Sequence, residues 1–237
     1  MDAGGPGARL SAPALPFRDR AQAAGLLADR LAGAGIEQDA LVLAIPRGGV
    51  PIGAEIARRL ALELDVIVAH KLGAPGNPEF AIGAATSDGT VLVEPWARGE
   101  PGVDDAYLRS EADEQVARAR AREERLRRGR PPASLGGRVV VVVDDGIATG
   151  ATVRAAIQAA RAQGARRVIV ATPVAARESA ERLRGEADEV IVLATPDPFF
   201  AVGLWYQRFD AVDDREIEAV LAAAARKGPP GEATDPS

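Results

Sequence analysis

Asp144 and Asp145 follow five consecutive valines, Val139 to Val143, and precede the run Gly146-Ile147-Ala148-Thr149-Gly150-Ala151-Thr152. Two neighbouring carboxylates offer acceptor oxygens to the hydroxyls of a vicinal diol. The run after them suits an anion. Gly146 and Gly150 permit backbone conformations closed to other residues, and Thr149 and Thr152 place hydroxyls beside the amides that open a helix over 151–163. Unpaired amides and the helix dipole both favour a phosphate at such a start. Taken apart, the acids are a helix cap and the glycines a turn; taken in order, they describe a site for a ribose carrying a phosphate. A nucleotide-triphosphate P-loop fits less well, because the segment has no Gly-Lys-Ser/Thr ending and no lysine. Gly5-Pro6-Gly7 fails as a dinucleotide fingerprint, since no strand precedes it.

The elements around this run must present it at a sheet edge. An unbroken valine run has no amphipathic period and reads as a central parallel strand covered on both faces, so the acids emerge at its carboxyl end, where ligands gather in open α/β sheets. A second turn of the same kind lies upstream. Strand 41–45 ends in Pro46-Arg47-Gly48-Gly49 and is followed by helix 51–62, so amides and a guanidinium meet the same edge. A first helix is expected over 19–34. Strand 64–69 runs into His70-Lys71-Leu72-Gly73-Ala74-Pro75-Gly76-Asn77-Pro78-Glu79-Phe80, and Lys71 is one of only two lysines in a chain that otherwise uses arginine. An ammonium at the end of a core strand suggests a selected charge. A hairpin over 81–86 and 90–93, turning at Ser87-Asp88-Gly89, comes next. Helix 104–128 is dense in both signs and reads as solvated, with internal ion pairs, rather than as a nucleic-acid patch. Beyond the valine strand come strand 167–173, helix 176–184, strand 189–194 and an aromatic segment, 198–209, with five of the nine aromatics. Such a cluster is either a packed corner or a stacking platform.

In these blocks the chain resembles the type I phosphoribosyltransferases. The resemblance implies an α/β fold, a Rossmann-like parallel sheet flanked by helices, with a small hood and here a long helical insertion. It implies that Asp144 and Asp145 hold the ribose hydroxyls of phosphoribosyl pyrophosphate (PRPP). The loop Gly146, Ile147, Ala148, Thr149, Gly150, Ala151 and Thr152 would hold its 5'-phosphate. Arg47, Gly48, Gly49 and Lys71 would hold the pyrophosphate, the turn at Arg47 often containing a cis peptide in the family. Candidate catalytic residues are thus Asp144, Asp145, Arg47 and Lys71. His70 stands where adenine and orotate enzymes carry an arginine. The segment before Val202-Gly203 resembles the hood of the 6-oxopurine enzymes, which makes Phe200, with Trp205, the candidate base-binding pair. Mg2+ is the implied cofactor, held mainly by PRPP and, if by protein, by Asp144 and Asp145. The partners implied are PRPP, a nitrogenous base and pyrophosphate, with a homodimer by analogy. Hypoxanthine, guanine and xanthine are not expected: Ala148 replaces the acid of the 6-oxopurine loop, no lysine lies between Lys71 and Lys227, and Gln207 replaces a metal-binding aspartate. The nearest likeness is to bacterial phosphoribosyltransferase-domain proteins sharing Pro-Arg-Gly-Gly, Lys-Leu-Gly-Ala-Pro-Gly-Asn-Pro-Glu-Phe and Asp-Asp-Gly-x-Ala-Thr-Gly, over residues 17–226. Besides transfer, two other activities use the same contacts: PRPP sensing without turnover, and hydrolysis of a phosphoribosyl compound. Family members carry a mobile loop over the reacting centre; the length of the 94–135 insertion here leaves its role as a lid open.

Composition bounds the remainder. At 237 residues and 47% hydrophobic the chain builds one domain, expected over 17–227, with Gly/Pro/Ala-rich tails, 1–16 and 228–237, expected to be disordered. Zero cysteines exclude disulfides, thiolate metal sites and a cysteine nucleophile, and a single histidine excludes a histidine cluster. A net charge of −5 argues against general nucleic-acid affinity. No apolar run reaches membrane-spanning length, and a cytoplasmic location is expected.

Overall fold

A computed structural model describes residues 13–226. Its centre is a five-stranded parallel sheet built from β1 (Leu41–Ala44), β2 (Glu63–Val66), β6 (Val139–Val143), β7 (Arg167–Val174) and β8 (Glu189–Ala194), in the order β2-β1-β6-β7-β8. The valine strand β6 lies in the middle and is buried throughout, as its lack of period requires. Its side chains divide by the two-residue alternation of a strand. Val139, Val141 and Val143 pack with Leu27 and Leu31 of α1 (Arg20–Gly33) and Ile52 and Ile56 of α2 (Gly49–Leu60). Val140 and Val142 pack with Val153 and Ile157 of α4 (Ala151–Ala162) and Leu183 of α5 (Arg177–Arg184). Helices on both faces thus hold the carboxyl ends of β1 and β6 at one level, with Ala44 paired to Val143.

The sheet differs from expectation after β2. The strand expected over 64–69 is broken: β2 stops at Val66, and β3 (Ala69–Ala74) joins β4 (Asn77–Thr86) and β5 (Val91–Val93) in a separate antiparallel sheet. The break is stabilised where the Val68 amide leaves the ladder and donates to Glu123 Oε2 at 2.9 Å. Lys71 therefore stands within an antiparallel strand, opposite Ala84, and not at the end of a core strand. The stretch 70–80, for which the sequence suggested no element, is largely strand. Gly73 makes that pairing possible, because a Cβ there would lie 2.7 Å from Pro78 Cα.

The acidic and basic helix α3 (Asp105–Arg127) is capped by Asp104, which accepts from the Tyr107 amide at 2.7 Å. Its charges were expected to pair among themselves in solvent, and this holds only in part. Arg127 is buried, donates to Asp65 of β2 through Nε at 2.9 Å and Nη2 at 3.0 Å, and pairs with Glu123. Arg122 reaches Asp214 at 2.8 Å, on α6 (Asp214–Ala225). That last helix was not anticipated, because Ile217 and Leu221 are its only fully buried apolar residues in an alanine-rich run. Of the tails expected to be disordered, 1–12 and 228–237 lie outside the described residues; 13–16 are described, and Leu15 packs against the cluster of Phe17 and Tyr206. Among the described residues no helix is long and apolar enough to cross a membrane.

Removing Arg127 leaves two buried carboxylates without their cation. Arg127→Ala is expected to cost about 3–5 kcal/mol, whereas Arg58→Ala, which breaks an exposed pair with Glu55, is expected to cost far less. Urea unfolding of both variants against wild type checks the ranking.

Candidate functional site

The two glycine turns leave adjacent strands and press against each other. A Cβ on Gly48 would lie 1.7 Å from Asp145 Oδ2, and one on Gly49 would lie 2.5 Å from the Val143 carbonyl oxygen, so both positions demand glycine by closeness of approach. The Pro46–Arg47 peptide is cis, as the resemblance implies for this turn. Arg47 itself is exposed, and its side chain has no hydrogen-bond partner among the described residues. On the other strand, Gly150 takes φ +80° and caps α4, the conformation that glycine allows at low cost.

The loop between is pinned from beneath. Ile147 is buried; its amide donates to Val174 O at 2.9 Å, its carbonyl accepts from Ala176 N at 2.8 Å, and the Ala148 carbonyl accepts from Ser179 Oγ at 2.5 Å. Ala148 and Thr149 remain exposed and Thr152 half-buried, above the first turn of α4, whose opening amides have no partner within the helix. Ala148, Thr149 and Ala151 form one wall of an open cleft of 670 Å³. Lys71, Phe80, Trp96, Arg177 and Phe199 are among its other walls, so the structure sets Lys71 across from the anion loop. Asp144, Asp145 and Arg47 lie outside the lining of this cleft, at the neighbouring turn, and no hydrogen bond joins Arg47 to Lys71.

The hood is placed by aromatic packing. Tyr206 is buried, stacks on Phe209 with centroids 5.0 Å apart and meets Phe17 at 5.7 Å. Of the two candidate base-binding residues, Phe200 is 77% exposed and stands away from the cleft. Trp205 packs against Phe199 at 6.1 Å, its Nε1 buried without a partner, and Phe199 is the hood aromatic that faces the cleft. Val202 closes over Gly146, where a Cβ would lie 2.3 Å from Val202 Cγ1.

Sequence reasoning missed Arg20. Its guanidinium donates to Asp145 Oδ2 from Nε at 2.9 Å and lies 3.8 Å from the centroid of Phe209. Nothing in a Phe-Arg-Asp-Arg run before a helix announces a partner 125 positions away. The electrostatics of the acids follow. Burial and the neighbouring Asp145 charge push Asp144 well above the usual carboxylate range. Burial also raises Asp145, opposed by Arg20. Burial raises the Tyr206 phenol, whose hydroxyl donates to Asp145 O at 2.6 Å. His70 plays no part here: its Nδ1 lies 3.3 Å from Gln115 Oε1 on α3, and burial lowers its pKa.

The long insertion is fastened to the hairpin sheet. Tyr107 Oη donates to Gly73 O at 2.7 Å and Gly73 N to Glu111 Oε1 at 3.0 Å. The sheet is in turn tied to the anion-loop helix by buried Arg154, which donates to Glu94 Oε1 at 2.6 Å. The insertion thus braces the cleft wall.

The family model for the phosphoribosyl transferase domain matches residues 19–208. The chain belongs to that family. Two Mycobacterium tuberculosis proteins, from strains CDC 1551 and H37Rv, provisionally named phosphoribosyl transferases, are each 46% identical over 211 residues, which is 89% of this chain and 47% of theirs. The chain therefore spans about half the length of these curated relatives. A crystal structure of TT1426 from Thermus thermophilus is 49% identical, covers 87% of this chain and 98% of its own, and superposes with a TM-score of 0.76. Family membership covers both glycine turns, the acid pair and the hood, and carries the expectation of a parallel sheet flanked by helices that the fold meets.

A carboxyl whose folded pKa exceeds its unfolded value holds its proton more tightly when folded; that advantage is complete at low pH and is lost as pH rises through the folded pKa. Asparagine has no proton to lose. Relative to wild type, Asp144→Asn is therefore expected to gain stability progressively as pH climbs above the ordinary carboxylate value of 3.8. Urea unfolding of both proteins at about pH 4, 6 and 8 reads this linkage, and a difference that stays flat over the range contradicts it.

Proposed function

We propose that this protein is a phosphoribosyltransferase that transfers the 5-phosphoribosyl group of PRPP to a nitrogenous base and releases pyrophosphate. The observation that carries this reading is the contact of Gly48 with Asp145, which brings the Pro46–Gly49 turn and the acid pair to adjoining strand ends. The 5'-phosphate is taken by the Gly146–Thr152 loop, through the amides at the start of α4 and the Thr149 and Thr152 hydroxyls, with buried Ile147 anchoring the loop from beneath. The ribose diol is taken by the acid pair. Arg47 holds the pyrophosphate at a turn where Gly48 and Gly49 permit close approach, and Lys71, on the cleft wall, offers a second cation.

The reaction breaks the bond from C1 of the ribose to pyrophosphate and forms one from C1 to a base nitrogen, the bond electrons leaving with the pyrophosphate oxygen. Positive charge grows on the ribose as that bond lengthens. Carboxylates beneath it favour that charge, and fixed cations favour the charge on the departing group. The rest is positioning, since no side chain at these turns stands out as a dedicated base.

Mg2+ is part of this proposal. Among the described residues there is no group of three or more acidic or histidine ligands, and Asp145 is already engaged by Arg20. This donor set suits a divalent ion that arrives on PRPP oxygens, with Asp144 as the protein ligand nearest to hand. Such an ion would offset phosphate charge. The acceptor is planar and aromatic, because three aromatic rings line the cleft: Phe80 and Trp96, 5.4 Å apart, and Phe199. Stacking of a base on such walls is worth about 1–3 kcal/mol.

Calorimetric titration of PRPP with Mg2+, followed by a pyrophosphate-release screen over nucleobases, tests the proposal. Binding with base-dependent release is expected. Binding without release for any base favours a PRPP sensor, release without base favours a hydrolase, and no binding rules out the PRPP reading. With a responsive base in hand, Phe199→Ala is expected to raise its KM about ten-fold or more.

A further inference from the structure

The two acids are not equally free. Asp145 Oδ2 accepts from Arg20 Nε at 2.9 Å and lies 2.8 Å from Nη2 in the same ion pair, and its main-chain oxygen accepts from Tyr206. The remaining guanidinium nitrogen, Nη1, donates to Asp210 O at 2.7 Å, and the plane rests on Phe209. Every nitrogen of the Arg20 guanidinium is thus committed, and the Arg20 and Asp145 side chains are only 14% and 13% exposed. On the opposite side Gly48 leaves no space for Asp145 Oδ2 to swing. Asp144 differs in its partners: among the described residues its carboxyl accepts the Asp145 amide, at 2.8 Å, and no cation is hydrogen-bonded to it.

We propose that Arg20 is a positioning residue that gives the two acids different work. It fixes Asp145 as a strut joining α1, the Pro46–Gly49 turn and the hood, and it leaves Asp144 as the carboxylate that meets the ribose diol. This inference rests on the PRPP reading and goes beyond it, because that reading alone treats the acids as equivalent. A planar, forked cation is needed for the role: it bonds Asp145 and the Asp210 carbonyl at once while resting on the Phe209 ring, which an ammonium cannot do.

The test is calorimetric titration of Mg2+ and PRPP into wild type, Asp144→Asn, Asp145→Asn, Arg20→Gln, Arg20→Lys and the Arg20→Gln/Asp145→Asn double variant, each at a temperature where circular dichroism shows it folded. Asp144→Asn is expected to weaken binding about a hundred-fold, from the loss of charge-assisted hydrogen bonds. Arg20→Gln and Asp145→Asn are expected to weaken it about ten-fold each, the double variant no further, because both remove one interaction. Arg20→Lys should recover part of the loss. A residue serving stability alone would lower the melting temperature of Arg20→Gln and leave the affinity of the folded protein unchanged, and that result would overturn the proposal. So would Asp145→Asn matching or exceeding Asp144→Asn, or losses that add in the double variant. If Arg20→Gln does not fold, Arg20→Lys and the ranking of the two acid variants decide. Wild type that binds no PRPP removes the underlying reading and this inference together; wild type that binds with the ranking reversed removes only the role of Arg20.

Discussion

Gly48 has no room for a side chain, and much of the site depends on that fact. Its Cα lies so near Asp145 that a methyl group would overlap the carboxylate. Two turns whose contact residues, Gly48 and Asp145, stand 97 positions apart in the chain are thereby held against each other at the ends of β1 and β6. The register of those strands makes the meeting possible, and the helices on both faces of the sheet keep it. The acid pair, the Gly146–Thr152 loop and the Pro46–Gly49 turn thus stand in one neighbourhood.

The surrounding structure spends its charge on bracing. Arg20 holds Asp145 to the hood. Arg154 holds the anion-loop helix to the hairpin sheet through Glu94, and to the residues after α5 through Glu186. Arg127 holds α3 to β2 through Asp65. Each is an arginine whose forked donors reach more than one partner, which suits burial better than an ammonium would. The lysine that remains on the cleft wall, Lys71, is exposed, and its ammonium is paired with nothing among the described residues.

The acid pair, the anion loop and the Pro46–Gly49 turn were legible in the sequence because they are local: residue types at fixed spacing directly after an apolar strand. The five parallel strands were legible for the same reason. What escaped depended on distance. Arg20 and Phe209 meet only after folding, and the hood residue facing the cleft proved to be Phe199 and not its neighbour Phe200, since a one-residue shift in an irregular segment changes which ring points inward. The strand expected over 64–69 was read as one core strand with Lys71 at its end because continuous apolar residues hide a break that a glutamate from α3 makes stable. Charge pairing on α3 was read as internal, although three of its arginines reach β2 or α6.

If the two glycine turns and the acid pair form one phosphoribosyl site, a single ligand must be felt at both turns at once. Amide NMR during titration with Mg2+ and PRPP tests this most directly. The largest shifts are expected to fall together on the amides of Arg47 to Gly49 and Asp144 to Thr152, and to saturate as one event. Shifts confined to other parts of the molecule, or to only one of the two turns, would contradict a single shared site.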